Sequence, residues 1–132
     1  MINQENIFQN GTIKKYEAGK KLFRVGDPIN EDAVYFIKNG AVRLDIPKKN
    51  GPPLRLKLKE TDFIGIPEVY ADFNRVTEAV CETELECYVW NKADFLMTVN
   101  MIWELSFYTI KSLSEFLKIL NIEFIDKISI RF

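Results

Sequence analysis

Asp62-Phe63-Ile64-Gly65-Ile66-Pro67-Glu68-Val69-Tyr70-Ala71-Asp72-Phe73-Asn74-Arg75-Val76-Thr77 interrupts a series of short strand-like runs with a segment of different character. Gly65 follows two apolar residues, where the backbone either approaches something closely or takes a dihedral that only glycine adopts cheaply. Arg75, ten residues later, opens a new strand-like run. One short helical turn between them would bring backbone N–H groups and the Arg75 guanidinium to bear on a single anion, as in a small phosphate or carboxylate cradle. A structural ion pair with Glu68 or Asp72 is the other reading of Arg75. The runs on either side decide the fold.

Upstream, from Thr12, turn signals recur at close intervals: Ala18-Gly19, Gly26-Asp27-Pro28, Asn39-Gly40 and Asn50-Gly51-Pro52-Pro53. Many short strands at such spacing predict an all-β sandwich or barrel. The clearest piece is a hairpin. Val42, Leu44 and Ile46 alternate with Arg43 and Asp45, and Leu54, Leu56 and Leu58 alternate with Arg55 and Lys57, so six aliphatics share one face. Pro47 to Pro53 is too polar and too rich in proline to be strand. Val34-Tyr35-Phe36-Ile37 is a continuous apolar run, the pattern of a strand covered on both sides. Downstream, Val76 to Cys81 and Leu85 to Trp90 predict two more strands meeting near Thr83-Glu84, with Cys81 and Cys87 on different strands.

Beyond Lys92 the period becomes helical. Asp94 marks a cap region, and from Phe95 to about Ile125 there is neither proline nor glycine. The stretch is apolar nearly all round, so it needs two partners. One is the β-domain. A second copy of the chain supplies the other, along a seam of Ser106, Thr109, Leu113, Phe116 and Leu120 at heptad steps. A helix wholly covered by its own domain is the competing arrangement. At the other end, Asn3 to Gln9 predict a short helix with Ile7 and Phe8 facing inward, stopped by Asn10-Gly11.

The chain of 132 residues is long enough for one domain with a useful core, and its 47% hydrophobic content, 28% charged content and net charge of −1 show no basic excess of the nucleic-acid-binding kind. No apolar run is long enough to span a membrane, and Met1 to Asn6 lacks the features of a secretory signal, which makes the cytoplasm the expected location. The absence of histidine removes the usual general base, the usual zinc and haem ligand and every Ser-His or Cys-His dyad. Two cysteines are too few for an iron–sulfur cluster; they are either buried apolar residues or a redox pair. No catalytic or metal site is expected.

Tyr16-x-Ala18-Gly19, Phe23-x-x-Gly26-Asp27, Val34-Tyr35-Phe36-Ile37-x-x-Gly40-x-Val42, Asp62-Phe63-Ile64-Gly65 and Arg75-Val76-Thr77 stand in the order and at the spacing of one family. The chain resembles, from about Thr12 to Asn121, the cyclic nucleotide-binding domain of the CRP/FNR transcriptional regulators. The resemblance implies a mainly β fold, a double-stranded β-helix (jelly roll or β-roll) with flanking helices, followed by a long dimerisation helix. The expected division is residues 1–94 for the effector-sensing roll and 95–132 for the helix and the start of a connection to a helix-turn-helix domain. The apolar finish from Glu123 to Phe132 matches a chain cut from a longer polypeptide, with DNA contacted only through the missing part.

In the family the phosphate cradle reads Phe-Gly-Glu-Leu-Ala-Leu, then a variable loop, then Pro-Arg-Ala-Ala. The resemblance places Gly65, Ile66, Glu68, Arg75, Val76 and Thr77 at this site. Ile66 stands where the family has the carboxylate that holds the ribose hydroxyl, and a buried hydroxyl left without its partner costs roughly 1–3 kcal/mol. Pro67 removes a backbone donor from the cradle. Leu120 and Asn121 fall near the family's adenine contacts, and Leu120 cannot make a polar one. The implied function is the sensing and dimerising part of a regulator that couples a small effector other than cyclic AMP to DNA binding. No cofactor is expected; the effector would be a small anion. The alternatives are a nucleotide-binding or ligand-free module of a channel, kinase or stand-alone protein, and a thiol sensor using Cys81 and Cys87. A histidine-dependent cupin enzyme is disfavoured by composition.

Overall fold

A computed structural model describes Phe8, residues 10–29 and residues 31–128. The described chain runs β1 (Thr12–Tyr16), β2 (Lys21–Phe23), β3 (Val34–Asn39), β4 (Val42–Ile46), β5 (Leu54–Leu58), β6 (Phe63–Ile64), α1 (Ile66–Ala71), β7 (Glu78–Cys81), β8 (Leu85–Trp90), α2 (Lys92–Met101) and α3 (Trp103–Ile128). The strands form two antiparallel four-stranded sheets, ordered β1-β8-β3-β6 and β2-β7-β4-β5. This is a two-sheet β structure, as the turn spacing predicts, in the jelly-roll form that the resemblance implies.

The hairpin keeps its six aliphatics on one face, as the alternation requires: Val42 pairs with Leu58, Leu44 with Leu56 and Ile46 with Leu54. β7 and β8 do not pair with each other. The chain crosses between them from one sheet to the other, so Cys81 and Cys87 both enter the inter-sheet core from opposite walls. Gly40, at φ +113°, makes the β3–β4 turn possible, because a Cβ there would collide with the Glu84 carbonyl in that crossing.

The sheet β1-β8-β3-β6 is covered on both faces, which accounts for the unbroken apolar run on β3. Tyr35 and Ile37 join Leu85, Cys87 and Val89 between the sheets. Val34 and Phe36 point the other way, into a layer formed with Phe63, Trp90, Phe95 and Leu105. Aromatic contacts bind this second layer: Trp90 meets Phe95 edge-on at 5.6 Å, and Phe8 stacks on Tyr88 at 4.1 Å. The helix expected over Asn3 to Gln9 otherwise lies outside the described residues, as do the last four residues of the apolar finish.

The helical tail departs from expectation in two ways. Its cap is Asn91 rather than Asp94: the Asn91 side chain accepts a hydrogen bond from the Asp94 N–H at 2.7 Å. The tail is also two helices, because Ile102 adopts an extended conformation (φ −126°, ψ 102°) between α2 and α3. Its N–H still closes α2 on the Thr98 carbonyl at 3.0 Å, while its own carbonyl receives the Leu105 N–H at 3.1 Å and starts α3. The Ser106 hydroxyl donates to the Val99 carbonyl at 3.0 Å and so satisfies a group in the last turn of α2. Both helices are apolar, so hydrophobic spacing runs on through the break, and neither glycine nor proline announces it. Among the described residues no helix is long and apolar enough to cross a membrane.

Both thiols are free and buried. Burial raises Cys81, and burial with Cys81 nearby pushes Cys87 up to about 12. A group whose folded pKa is raised contributes stability below its unfolded pKa and loses it as pH climbs through the folded value. The thiol contribution should therefore be intact at neutral pH and decline between about pH 9 and pH 12. A thiol-reactive disulfide reagent at neutral pH should leave both cysteines unmodified until denaturant is added. Rapid labelling of the native protein would contradict this and favour the thiol-sensor alternative.

Candidate functional site

The site is set by Gly65, which leaves β6 in the left-handed region (φ +95°) and starts α1. A Cβ here would strike the Ala33 carbonyl oxygen and the Arg75 guanidinium, so only glycine lets the three backbone segments meet. Pro67 sits in the first turn of α1, where its missing N–H costs the helix nothing. The helix ends at Asp72, also left-handed at φ +59°, whose N–H returns to the Glu68 carbonyl at 2.9 Å. The exposed Asp72 carboxylate takes the Lys92 ammonium at 2.6 Å, and that hydrogen bond lowers its pKa.

Arg75 is fixed at both ends. Its backbone exchanges hydrogen bonds with the β2–β3 loop: Gly26 N–H to the Arg75 carbonyl at 2.7 Å and Arg75 N–H to the Asp27 carbonyl at 2.8 Å. The side chain is 2% exposed. Nη2 donates to the carbonyls of Asp32 at 3.0 Å and Ala33 at 2.7 Å, Nη1 lies 3.4 Å from Glu68 Oε2, and the guanidinium carbon sits 4.1 Å from the centre of the Phe23 ring. Burial lowers the Arg75 pKa and the Glu68 carboxylate pushes it back up; a guanidinium stays charged throughout. Of the two ion-pair partners considered for Arg75, the structure selects Glu68, while Asp72 belongs to Lys92.

Beside this lock lies a cavity of about 410 Å³, between the β4–β5 hairpin, α1 and α3. Gly65, Ile66, Glu68, Val76 and Thr77 line it together, with Leu44, Leu56, Leu58 and Ile64 from the roll and Leu113 and Phe116 from α3. Arg75 does not line it. Its outer side borders a separate polar hollow with Lys14, Asp27, Glu31, Asp32 and Tyr35. Burial, with Glu115 facing it, raises Asp62 at the rim, against the pull of the Lys59 N–H. The hairpin leucines are site residues that sequence reasoning assigned to the core alone; their alternation is the signal, since a face turned inward can border a cavity as well as a neighbour.

The predicted dimer seam turns toward the chain's own roll. Thr109 is buried, Leu113 packs in the helix-side core, Phe116 packs against the inter-sheet core, and Ser106 bonds to Val99. The Leu120 side chain lies outside the described ones. The apolar residues that α3 leaves uncovered are on its other face: Phe107, Ile110 and Leu117 are 56%, 65% and 56% exposed. Heptad steps alone place two such stripes on a helix that is apolar all round.

A small double-sheet roll, a glycine-led helical turn beside a cavity and a long helix along that cavity define a β-roll domain of the cyclic nucleotide-binding type. The sequence profile of the family described as "Cyclic nucleotide-binding domain" matches residues 13–100, and the chain belongs to that family. No curated protein sequence matches it. Its fold is similar to that of the catabolite activator protein of Thermus thermophilus (TM-score 0.78, 20% identity), covering 96% of this chain and 58% of that one. It is also similar to a transcriptional regulator of Thermotoga maritima (TM-score 0.76, 18% identity, covering 97% and 99%). A third similar structure is the sensor domain of the transcriptional regulator DNR of Pseudomonas aeruginosa (TM-score 0.64, 18% identity, covering 86% and 75%). The chain thus spans somewhat over half the length of the Thermus protein.

Removing one partner from a buried ion pair leaves the other uncompensated, at a cost of about 3–5 kcal/mol. Glu68→Gln and Arg75→Met should each lower stability in denaturant titrations by roughly that amount. Arg75→Lys should recover only part of it, because one ammonium cannot span Glu68 and two carbonyls as the planar fork does. Losses within about 0.5 kcal/mol of zero, the usual range for a surface substitution, would mean that Arg75 is solvated.

Proposed function

We propose that this chain is the effector-sensing and dimerising part of a CRP/FNR-type transcriptional regulator, cytoplasmic and without catalytic activity. A helix-turn-helix domain following α3 in the full-length protein would contact DNA. The observation that carries this reading is the double duty of α3. Its inner face, through Leu113 and Phe116, walls the cavity, and its outer face leaves Phe107, Ile110 and Leu117 in water. Steps of three and seven residues along that outer face form a seam that a second copy of α3 would cover. An occupant of the cavity and a partner helix would then act on the same element from opposite sides. A ligand that binds one helix arrangement better than the other shifts the population toward it, which is all that such a switch requires.

The regulators among the similar structures support the reading, as does the family's name. Cyclic AMP is a poor candidate effector for this chain. Ile66 offers no acceptor to a ribose hydroxyl, and Arg75 is already engaged with Glu68 and two carbonyls.

Sedimentation equilibrium should find a dimer. Phe107→Glu combined with Ile110→Glu should raise its dissociation constant by about 100-fold or more, since two carboxylates would be left in an apolar seam. A wild-type protein that stays monomeric at high concentration would end the dimer reading. Calorimetry with cyclic AMP and cyclic GMP should show no binding; tight binding that Arg75→Ala abolishes would restore the nucleotide as effector.

A further inference from the structure

The cavity's lining limits what it can hold. Much of its lining is carbon: Leu44, Leu56 and Leu58 from the hairpin, Val76 from the loop before β7, and Leu113 and Phe116 from α3. Glu68 belongs to the α1 wall, but its side chain is buried against the Arg75 guanidinium, which also turns to the Asp32 and Ala33 carbonyls, so that positive charge is matched inside the protein and is not offered to an incoming anion. Lys57 and Lys59 at the rim are balanced by Asp62 and Glu115. The volume of about 410 Å³ falls within the range of small-molecule sites. Apolar wall left facing water is unfavourable by roughly 25 cal/mol per Å², a cost that an apolar occupant removes and a solvated anion does not.

Building on the sensor reading above, we propose that the cavity binds an uncharged, largely apolar small molecule, and that Glu68 fills the place beside Arg75 that an anionic ligand would need. Affinity comes from covering the leucine, valine and phenylalanine walls. Specificity comes from the exclusion of anions by Glu68 and from the shape of the gap between the hairpin and α3. The Glu68–Arg75 pair is therefore a selectivity device as well as a structural one.

The test uses N-phenylnaphthylamine, an uncharged fluorophore that brightens in apolar surroundings, titrated into the full chain. Saturable binding of one probe per chain is expected. It should weaken at least about tenfold in Leu56→Glu and in Val76→Glu, each of which brings a carboxylate to the wall. Val76 is half-exposed in a loop, so its variant should fold even if Leu56→Glu does not. A large excess of cyclic AMP should not displace the probe. The proposal would be overturned by no saturable binding, by unchanged affinity in Val76→Glu, or by displacement by cyclic AMP. Loss of binding in Ile110→Glu with retention in Val76→Glu would put the probe on the outer face of α3 and overturn it equally. Failure here with a dimer that the seam substitutions still dissociate would remove the ligand class and leave the sensor reading standing. A monomeric wild type would remove the sensor reading whatever the probe does.

Discussion

A buried guanidinium governs this structure. Arg75 ties together parts of the chain that are far apart in sequence: the approach to β3 through the Asp32 and Ala33 carbonyls, α1 through Glu68, and β2 through the Phe23 ring. A cation removed from water must find charge and hydrogen-bond partners inside, and here those partners dictate where α1 can sit. Gly65 follows from the same constraint. The helix starts so close to the Ala33 carbonyl and the guanidinium that no side chain can stand between them. The cavity wall takes its chemistry from this arrangement, with Glu68 already matched by Arg75 and Ile66 packed into the helix-side core.

The roll was legible because its strands obey period-two alternation and its turns carry glycine or proline. Val42, Leu44, Ile46, Leu54, Leu56 and Leu58 could be put on one face of a hairpin from the sequence alone, and the unbroken Val34 to Ile37 run signalled a sheet covered on both faces. The joint at Ile102 was not legible. Apolar spacing continues across it, and the hydroxyl that makes it tolerable, Ser106 bonding to Val99, looks on the page like any helix-surface serine. The two faces of α3 could not be told apart for a related reason: with apolar residues all round, periodicity finds stripes but cannot say which one the roll covers.

At the site, the sequence showed which residues gather but not how their charges are spent. Gly65, Ile66, Glu68, Val76 and Thr77 do line one cavity. Arg75 stands next to them in sequence yet turns into the protein, because Glu68, seven residues earlier on α1, and two carbonyls from a distant loop offer it full coordination. Linear spacing allowed both the anion cradle and the internal pair. Only the position of the Asp32 and Ala33 carbonyls distinguishes them, and that depends on how the second and third strands are connected.

The extended residue between α2 and α3 has a mechanical consequence. It is where a pivot would sit, with Phe116 about 21 Å along α3 and Ile128 about 39 Å along it, at 1.5 Å of rise per residue. A pivot there would move the far end nearly twice as far as the point that touches the cavity. Pivoting as a rigid rod, the long helix would have a gain of about two, so a shift at Phe116 no larger than a carbon–carbon bond would arrive at Ile128 as a displacement of nearly 3 Å.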